Sequence, residues 1–221
     1  MNNPTTQTYT SLATAYDFFN RELFSGSLPA CLITMQRHKN AYGYFSGERF
    51  ANTADPKEIT DEIALNPAHF ATQKPAEVLS TLAHEMAHLW QHHYGKKPRK
   101  GYHDRQWAAK MHEIGLIPTS TGEAGGKETG QKVAHLIEEN GRYARAAAKL
   151  LAEHPAILYS DRSENDAARK KKAASKTKYT CPGCGLNAWA KPDVLLVCGS
   201  CQEPMHAEAV EGDEDEEETA R

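Results

Sequence analysis

The chain has no long apolar run: 39 % of its 221 residues are hydrophobic, but they are scattered. A membrane span, which needs about 20 consecutive apolar residues, is therefore not expected. Residues Met1 to Thr10 are polar and uncharged, so the basic-then-apolar pattern of a secretory signal is missing too. A cytoplasmic protein is the expectation. No internal repeat is evident. Cysteine is scarce, at five, and four of the five fall in two close pairs. That pattern reads as a metal site in a reducing compartment rather than as a disulfide framework. Net charge is small, −3, but the average conceals a division. The last eleven residues hold seven acidic groups and one Arg, which leaves 25 basic against 22 acidic residues in the rest. The body is mildly basic, with its excess at Lys96–Lys100 and Arg169–Lys178. The length allows one medium domain and a small module.

What the chain does have is a stretch from Pro75 to His103, centred on His84-Glu85-Met86-Ala87-His88. Two histidines four apart on a helix share nearly one face, so both imidazoles can reach one zinc ion. Glu85 is then beside the metal, placed to take a proton from a water there without being a ligand. The helix is well marked: Pro75 suits its first position, Glu77 adds negative charge to the first turn, and Gly95 stops it. At about 100° per residue, Val78, Leu79, Leu82, Met86, Leu89 and Trp90 form one face, and His84, Glu85, His88 and His92 the other. The first face can anchor in a core while the second lines a cleft.

A catalytic zinc needs a third protein ligand and one open position. His92 lies about 12 Å along the axis from His84, at roughly 1.5 Å per residue. That is too far for both to ligate one zinc at about 2.1 Å. His103 is better placed, after a basic turn from Lys96 to Gly101, on a second helix that reads His103, Trp107, Met111 and Ile114 along one side. His112 falls about 180° round that helix and points away.

The segment Leu82 to His88, followed by Gly101-Tyr102-His103-Asp104-Arg105-Gln106-Trp107 and then Met111-His112, resembles the SprT-like zinc metalloproteases. These include the Spartan proteases, which degrade proteins crosslinked to DNA. The gap between second and third histidines matches, as do Trp107 and the Met-His pair. The resemblance runs from about Tyr9 to Leu116 and resumes at the C-terminal cysteines. It implies His84, His88 and His103 as zinc ligands and Glu85 as catalytic base. The family usually has Gly after its third histidine, where this chain has Asp104.

Residues Thr6 to Phe24 read as an amphipathic helix with Leu12, Ala15, Tyr16, Phe19 and Leu23 inward, ended by Gly26 and Pro29. Strands follow at Leu32–Gln36 and Tyr42–Phe50, across a His38–Ala41 turn, and at Asp61–Leu65. The fold class is thus α+β: a helix, a small antiparallel sheet, the His-Glu-x-x-His helix and a third-ligand helix, which is also the zincin-like arrangement. The Tyr42–Phe50 strand is the candidate edge for main-chain pairing with an extended substrate. Ile117–Thr129 reads as a surface loop, Val133–Ile137 as a strand or helix start, and Asn140 as the cap of a lightly packed helix ended by Pro155. Cys31 reads as a small buried residue.

Cys181-Pro-Gly-Cys184 and Cys198-Gly-Ser-Cys201 are two knuckles separated by thirteen residues. Four thiolates in that pattern close a tetrahedral shell around a structural zinc, and metal binding would supply most of the folding energy of so short a module. It resembles the zinc ribbon that SprT-like proteins often carry at this end. Trp189, Lys191 and His206 are candidates for contacting nucleic acid or protein, although Trp189 can equally be the ribbon's small core.

The domain organisation expected is a SprT-like domain at 6–155, a basic linker at 156–178, a ribbon at 179–207 and a disordered acidic tail at 208–221. In the linker, Lys170, Lys171, Lys172, Lys176 and Lys178 are candidate phosphate contacts, sequence-independent and salt-sensitive. The function expected is a zinc endopeptidase with one catalytic and one structural zinc, a protein substrate, and DNA as a possible partner. Tyr102 and Arg105 are position-based candidates for steadying the oxyanion. Two readings compete: a non-catalytic, zinc-stabilised DNA- or protein-binding module, and a zinc hydrolase of some other amide.

Overall fold

The computed structural model describes residues 3–39, 41–99, 101–154, 159–161 and 177–207. The acidic tail at 208–221 lies outside them, as do Lys170, Lys171, Lys172 and Lys176 of the basic stretch. The chain divides into two units, Met1–Arg162 and Ser163–Arg221. No helix among the described residues is long and apolar enough to cross a membrane.

In the first unit, α1 (Pro4–Phe24) begins where the Asn3 side chain accepts from the Thr5 and Thr6 N–H groups, with Pro4 in the first turn. Leu12, Ala15, Tyr16, Phe19 and Leu23 are all buried along its inner face. Strands β1 (Leu32–Met35), β2 (Gly43–Ala51) and β3 (Ile59–Leu65) follow. Their order is β1-β3-β2, with β1 parallel and β2 antiparallel to β3. The sheet is therefore mixed, which corrects the antiparallel expectation. Instead of making a tight turn, the chain after β1 passes to the far side of β3, and the Asn66 amide donates 2.8 Å bonds to the carbonyls of His38 and Ala41. β3 becomes the buried middle strand and β2 an edge.

Helix α2 (Pro75–Tyr94) starts with Pro75, and the Glu77 carboxylate accepts from the Lys74 N–H at 2.8 Å. It is the hub of the unit, in contact with the sheet and with all three other helices. Both of its faces are consequently buried: Ser80, Thr81, His84, Glu85 and Gln91 are buried as well as Leu82 and Met86. Helix α3 (Arg105–Ile114) ends at Gly115, whose φ of 85° suits glycine. A two-stranded sheet pairs β4 (Leu116–Thr119) with β5 (Ala134–Ile137). Helix α4 (Arg142–Glu153) is capped by Gly141 and not by Asn140, which takes a left-handed conformation at φ 56°. Nor is α4 only lightly packed, because Tyr143 is fully buried against Phe19 with ring centroids 5.4 Å apart.

In the second unit, β6 (Thr177–Thr180) pairs with β7 (Asn187–Ala190) and β8 (His206–Ala207). Its core is Tyr179, Cys181, Cys198 and Met205. Trp189 is 63 % exposed, so it is not the core residue that the sequence also allowed.

Candidate metal centre and active site

Helix α2 brings His84 and His88 one turn apart, with ring centroids separated by 5.2 Å. The His103 ring stands 5.4 Å from His84 and 4.8 Å from His88. One nitrogen from each of the three lies within 4.8 Å of the others. The nitrogens of a tetrahedral zinc site stand about 3.4 Å apart, so a small closure of these rings surrounds an ion.

His103 does not arrive on a helix, which corrects the sequence expectation. It lies just before Asp104, the N-cap of α3, in a bridge with Gly130. The His103 N–H donates to the Gly130 carbonyl at 2.8 Å, and its ring Nδ1 lies 3.1 Å from the same oxygen. With Nδ1–H spent on a carbonyl, Nε2 keeps the bare lone pair a metal needs. Asp104 has extended backbone (φ −95°, ψ −178°) and caps α3 through bonds from Gln106 N and Trp107 N, so this position has no need of glycine.

Trp107 is fully buried and touches all three imidazoles, stacking on His88 at 5.1 Å and meeting His84 and His103 edge-on at 4.8 and 4.4 Å. It keeps water off one side of the cluster. A fourth histidine, His135 on β5, was not anticipated. Its Nδ1 lies 3.0 Å from His84 Nδ1, and its Nε2 lies 2.8 Å from Ser80 Oγ. Burial holds the ring pKa values down, to about 3 for His88 and about 4 for His135, with neighbouring imidazoles adding to the effect on His84 and His88. Neutral imidazole is the form that binds metal.

Glu85 is 5 % exposed, and burial pushes its carboxyl up to about 8, opposed by a hydrogen bond from the Phe45 N–H. Strand β2 approaches closely here. A Cβ on Gly43 would fall 2.9 Å from Thr81 Cγ2 and 3.4 Å from Glu85 Cγ. Of the oxyanion candidates, Tyr102 adjoins His103 with the Arg99 guanidinium 4.1 Å over its ring, and Arg105 is exposed at the start of α3. His112 points outward to Glu128 at 3.1 Å.

In the second unit, one sulfur from each of Cys181, Cys184, Cys198 and Cys201 lies within 4.8 Å of the rest. The Cys184–Cys198 sulfurs are 3.7 Å apart, close to the roughly 3.8 Å edge of a zinc–thiolate tetrahedron. Backbone bonds wrap both knuckles, Gly185 N to Cys181 O at 2.9 Å and Gln202 N to Cys198 O at 2.8 Å. Lys178 lies on β6 opposite Trp189. Both the histidine and the cysteine cluster can hold a metal ion.

A SprT-like family model matches residues 12–124, from α1 through the turn after β4. The match spans the three clustered histidines and Glu85, and ends before His135 and the four clustered cysteines. An uncharacterized protein in the mucB 3'region of Salmonella typhimurium is 60 % identical over 50 residues, which is 23 % of this chain and 68 % of that protein.

Proposed function

The chain belongs to the SprT-like family, and on that footing we propose that it is a zinc-dependent endopeptidase acting on protein substrates, including proteins bound or crosslinked to DNA. The observation that carries this reading is the meeting of His84, His88 and His103 with Glu85 one residue from the first of them.

Zinc held by the three imidazoles would lower the pKa of water toward 7 and polarise a carbonyl. Glu85 takes the proton from the attacking water and returns it to the leaving amine. Trp107 excludes bulk water from the buried side of the imidazoles. The free edge of β2 offers main-chain groups to an extended substrate, and Tyr102 or Arg105 steadies the oxyanion. The zincin-like arrangement, the ribbon character of the cysteine module and the boundaries at 6–155 and 179–207 belong to this proposal. So do a second, structural zinc on the four cysteines and DNA contact through the basic stretch and Lys178. Exposed Trp189 beside Lys191 gives the module a stacking and phosphate-contacting face.

One observation favours the non-catalytic module instead: Glu85 is nearly covered. Incubating the protein with a DNA-binding protein, with and without DNA and chelator, separates the readings. Cleavage that chelator abolishes and that Glu85→Gln lacks supports the endopeptidase. Binding without cleavage under every condition overturns it.

A further inference from the structure

Helix α2 carries two more histidines beyond the site, and they meet a carboxylate that the proposed reaction does not use. Asp61 on β3 is buried. Its Oδ2 lies 2.6 Å from His93 Nε2, and its Oδ1 lies 3.8 Å from His92 Nε2. One ligand atom from each residue lies within 4.8 Å of the others.

The surroundings hold this trio in place. Edge strand β2 is irregular between Ser46 and Phe50, and Glu48 there has a φ of 54°. The Glu48 N–H donates to Asp61 Oδ1 at 2.7 Å, fixing the carboxylate against the bulge. Gly47 lies flat on the His92 imidazole, since a Cβ there would fall 2.7 Å from Nδ1 and 2.9 Å from Nε2. Phe45 packs against the same ring at 5.5 Å. Burial, with the Lys97 charge, holds His92 below its ordinary pKa, in the neutral form a metal binds.

We propose that Asp61, His92 and His93 form a further metal site, taking a divalent ion of the zinc class and tying the bulged edge strand to the end of α2. Two imidazoles and a carboxylate are a donor set for zinc and its first-row neighbours, and are too nitrogen-rich for magnesium or calcium. Ligand atoms around a tetrahedral zinc stand about 3.4 Å apart. The two separations to Asp61, 2.6 and 3.8 Å, fall on either side of that value, so each of these pairs reaches it with a ring shift of less than about 1 Å. The ion replaces the proton shared between His93 and Asp61, which leaves to solvent. This site goes beyond the proposed function and does not depend on it.

The test is a metal count on the full chain. Protein stripped with chelator is reloaded with Zn²⁺, or with Co²⁺ as a visible probe, and ions per chain are counted by native mass spectrometry. Wild type is compared with Asp61→Asn, His93→Gln and His103→Gln, each checked for wild-type circular dichroism. Asp61→Asn and His93→Gln are each expected to hold one ion fewer than wild type, and the His93→Gln/His103→Gln double variant two fewer. An unchanged count in His93→Gln overturns the site and leaves only an Asp61–His93 hydrogen bond. The His93 ring is 35 % exposed, so that variant carries the test if Asp61→Asn does not fold. An unchanged count in His103→Gln alone instead sinks the proposed catalytic centre, so the two failures are distinct.

Discussion

The Nδ1 atoms of His84 and His135 lie 3.0 Å apart, so one of them donates and the other accepts. The direction follows from the far end of the chain. Ser80 Oγ donates to the Glu77 carbonyl at 2.8 Å, so it can only accept from His135 Nε2. His135 therefore carries its proton on Nε2 and accepts at Nδ1, and His84 donates from Nδ1. His84 Nε2 is left bare on the side of His88 and His103. The second partner of a ligating histidine sets its tautomer and orientation, and losing such a partner costs roughly 10- to 100-fold in metal affinity. His135→Ala is expected to weaken metal binding by about that factor while the chain stays folded, measured by competition with a chromogenic chelator. Wild-type affinity in that variant would show His135 to be packing alone.

Glu85→Gln keeps the side-chain volume and removes the proposed base. It is expected to retain its metal content and to lose about 10²- to 10⁴-fold in proteolytic rate, the range for a positioned general base. The comparison needs the metal count and the rate on the same preparation. Cleavage at the wild-type rate removes Glu85 from the mechanism.

In chelator, the same buried groups give stability an optimum in pH. His84, His88 and His135 are neutral in the fold, their pKa values pressed below the ordinary 6.5. As pH falls below 6.5 the unfolded chain takes up protons that the folded chain refuses, so stability is lost toward acid. Glu85 acts in the opposite sense, because its carboxyl stays protonated in the fold up to about 8 against an ordinary 4.5. Its contribution is lost as pH rises through that window, at about 1.4 kcal/mol per pH unit. Within the Met1–Arg162 unit, three histidines outweigh one carboxyl below 6.5, and the loss from Glu85 prevails above it. Urea unfolding of the metal-free chain is expected to show greatest stability near pH 6.5, and Glu85→Gln to remove the decline from 6.5 to 8. A decline of equal slope in both proteins would assign it to other groups.

Helix α2 was legible to its last residue because period, Pro75 and Gly95 agreed, and the three β1–β3 strands lay within about two residues of their expected ends. Their neighbours were not legible. Alternation in a short strand says which face is inward and nothing about which strand lies alongside, so the passage around β3 that Asn66 pins had no local signal. His103 was assigned to the wrong kind of element although a signal was present: Asp104 precedes the Trp107, Met111, Ile114 period and is itself the helix cap. His135 had none. It sits in an unremarkable Ala-His-Leu-Ile strand, 51 residues from His84, and only the β4–β5 pairing delivers it to the cluster. In the sequence, His92 was set against the first metal alone, where distance excludes it, and the neighbouring His93 was given no role. Its partner, Asp61, is 32 residues from His93 and could be found only in three dimensions.

Asp104 joins the last of these links, because it connects the cap of α3, the buried side of α2 and the third imidazole. Its Oδ1 accepts from Gln106 N at 2.9 Å, Trp107 N at 3.0 Å and the buried Gln91 Nε2 at 2.8 Å. Removing the side chain forfeits a helix cap, at about 1 kcal/mol. It also strands an amide in the interior, at about 1–3 kcal/mol. Asp104→Ala should therefore be less stable by about 2–4 kcal/mol in urea, counting each loss once. Asp104→Asn, which keeps an oxygen at the same place, should recover most of that. His103 is the preceding residue and its own ring bond runs to Gly130, so loosening the cap frees the backbone on one side of it only. Asp104→Ala is accordingly expected to weaken metal binding as well as stability, and Asp104→Asn to restore both together. If stability falls while chelator competition is unchanged, the Gly130 bridge alone holds His103, and Asp104 serves the helix and not the metal.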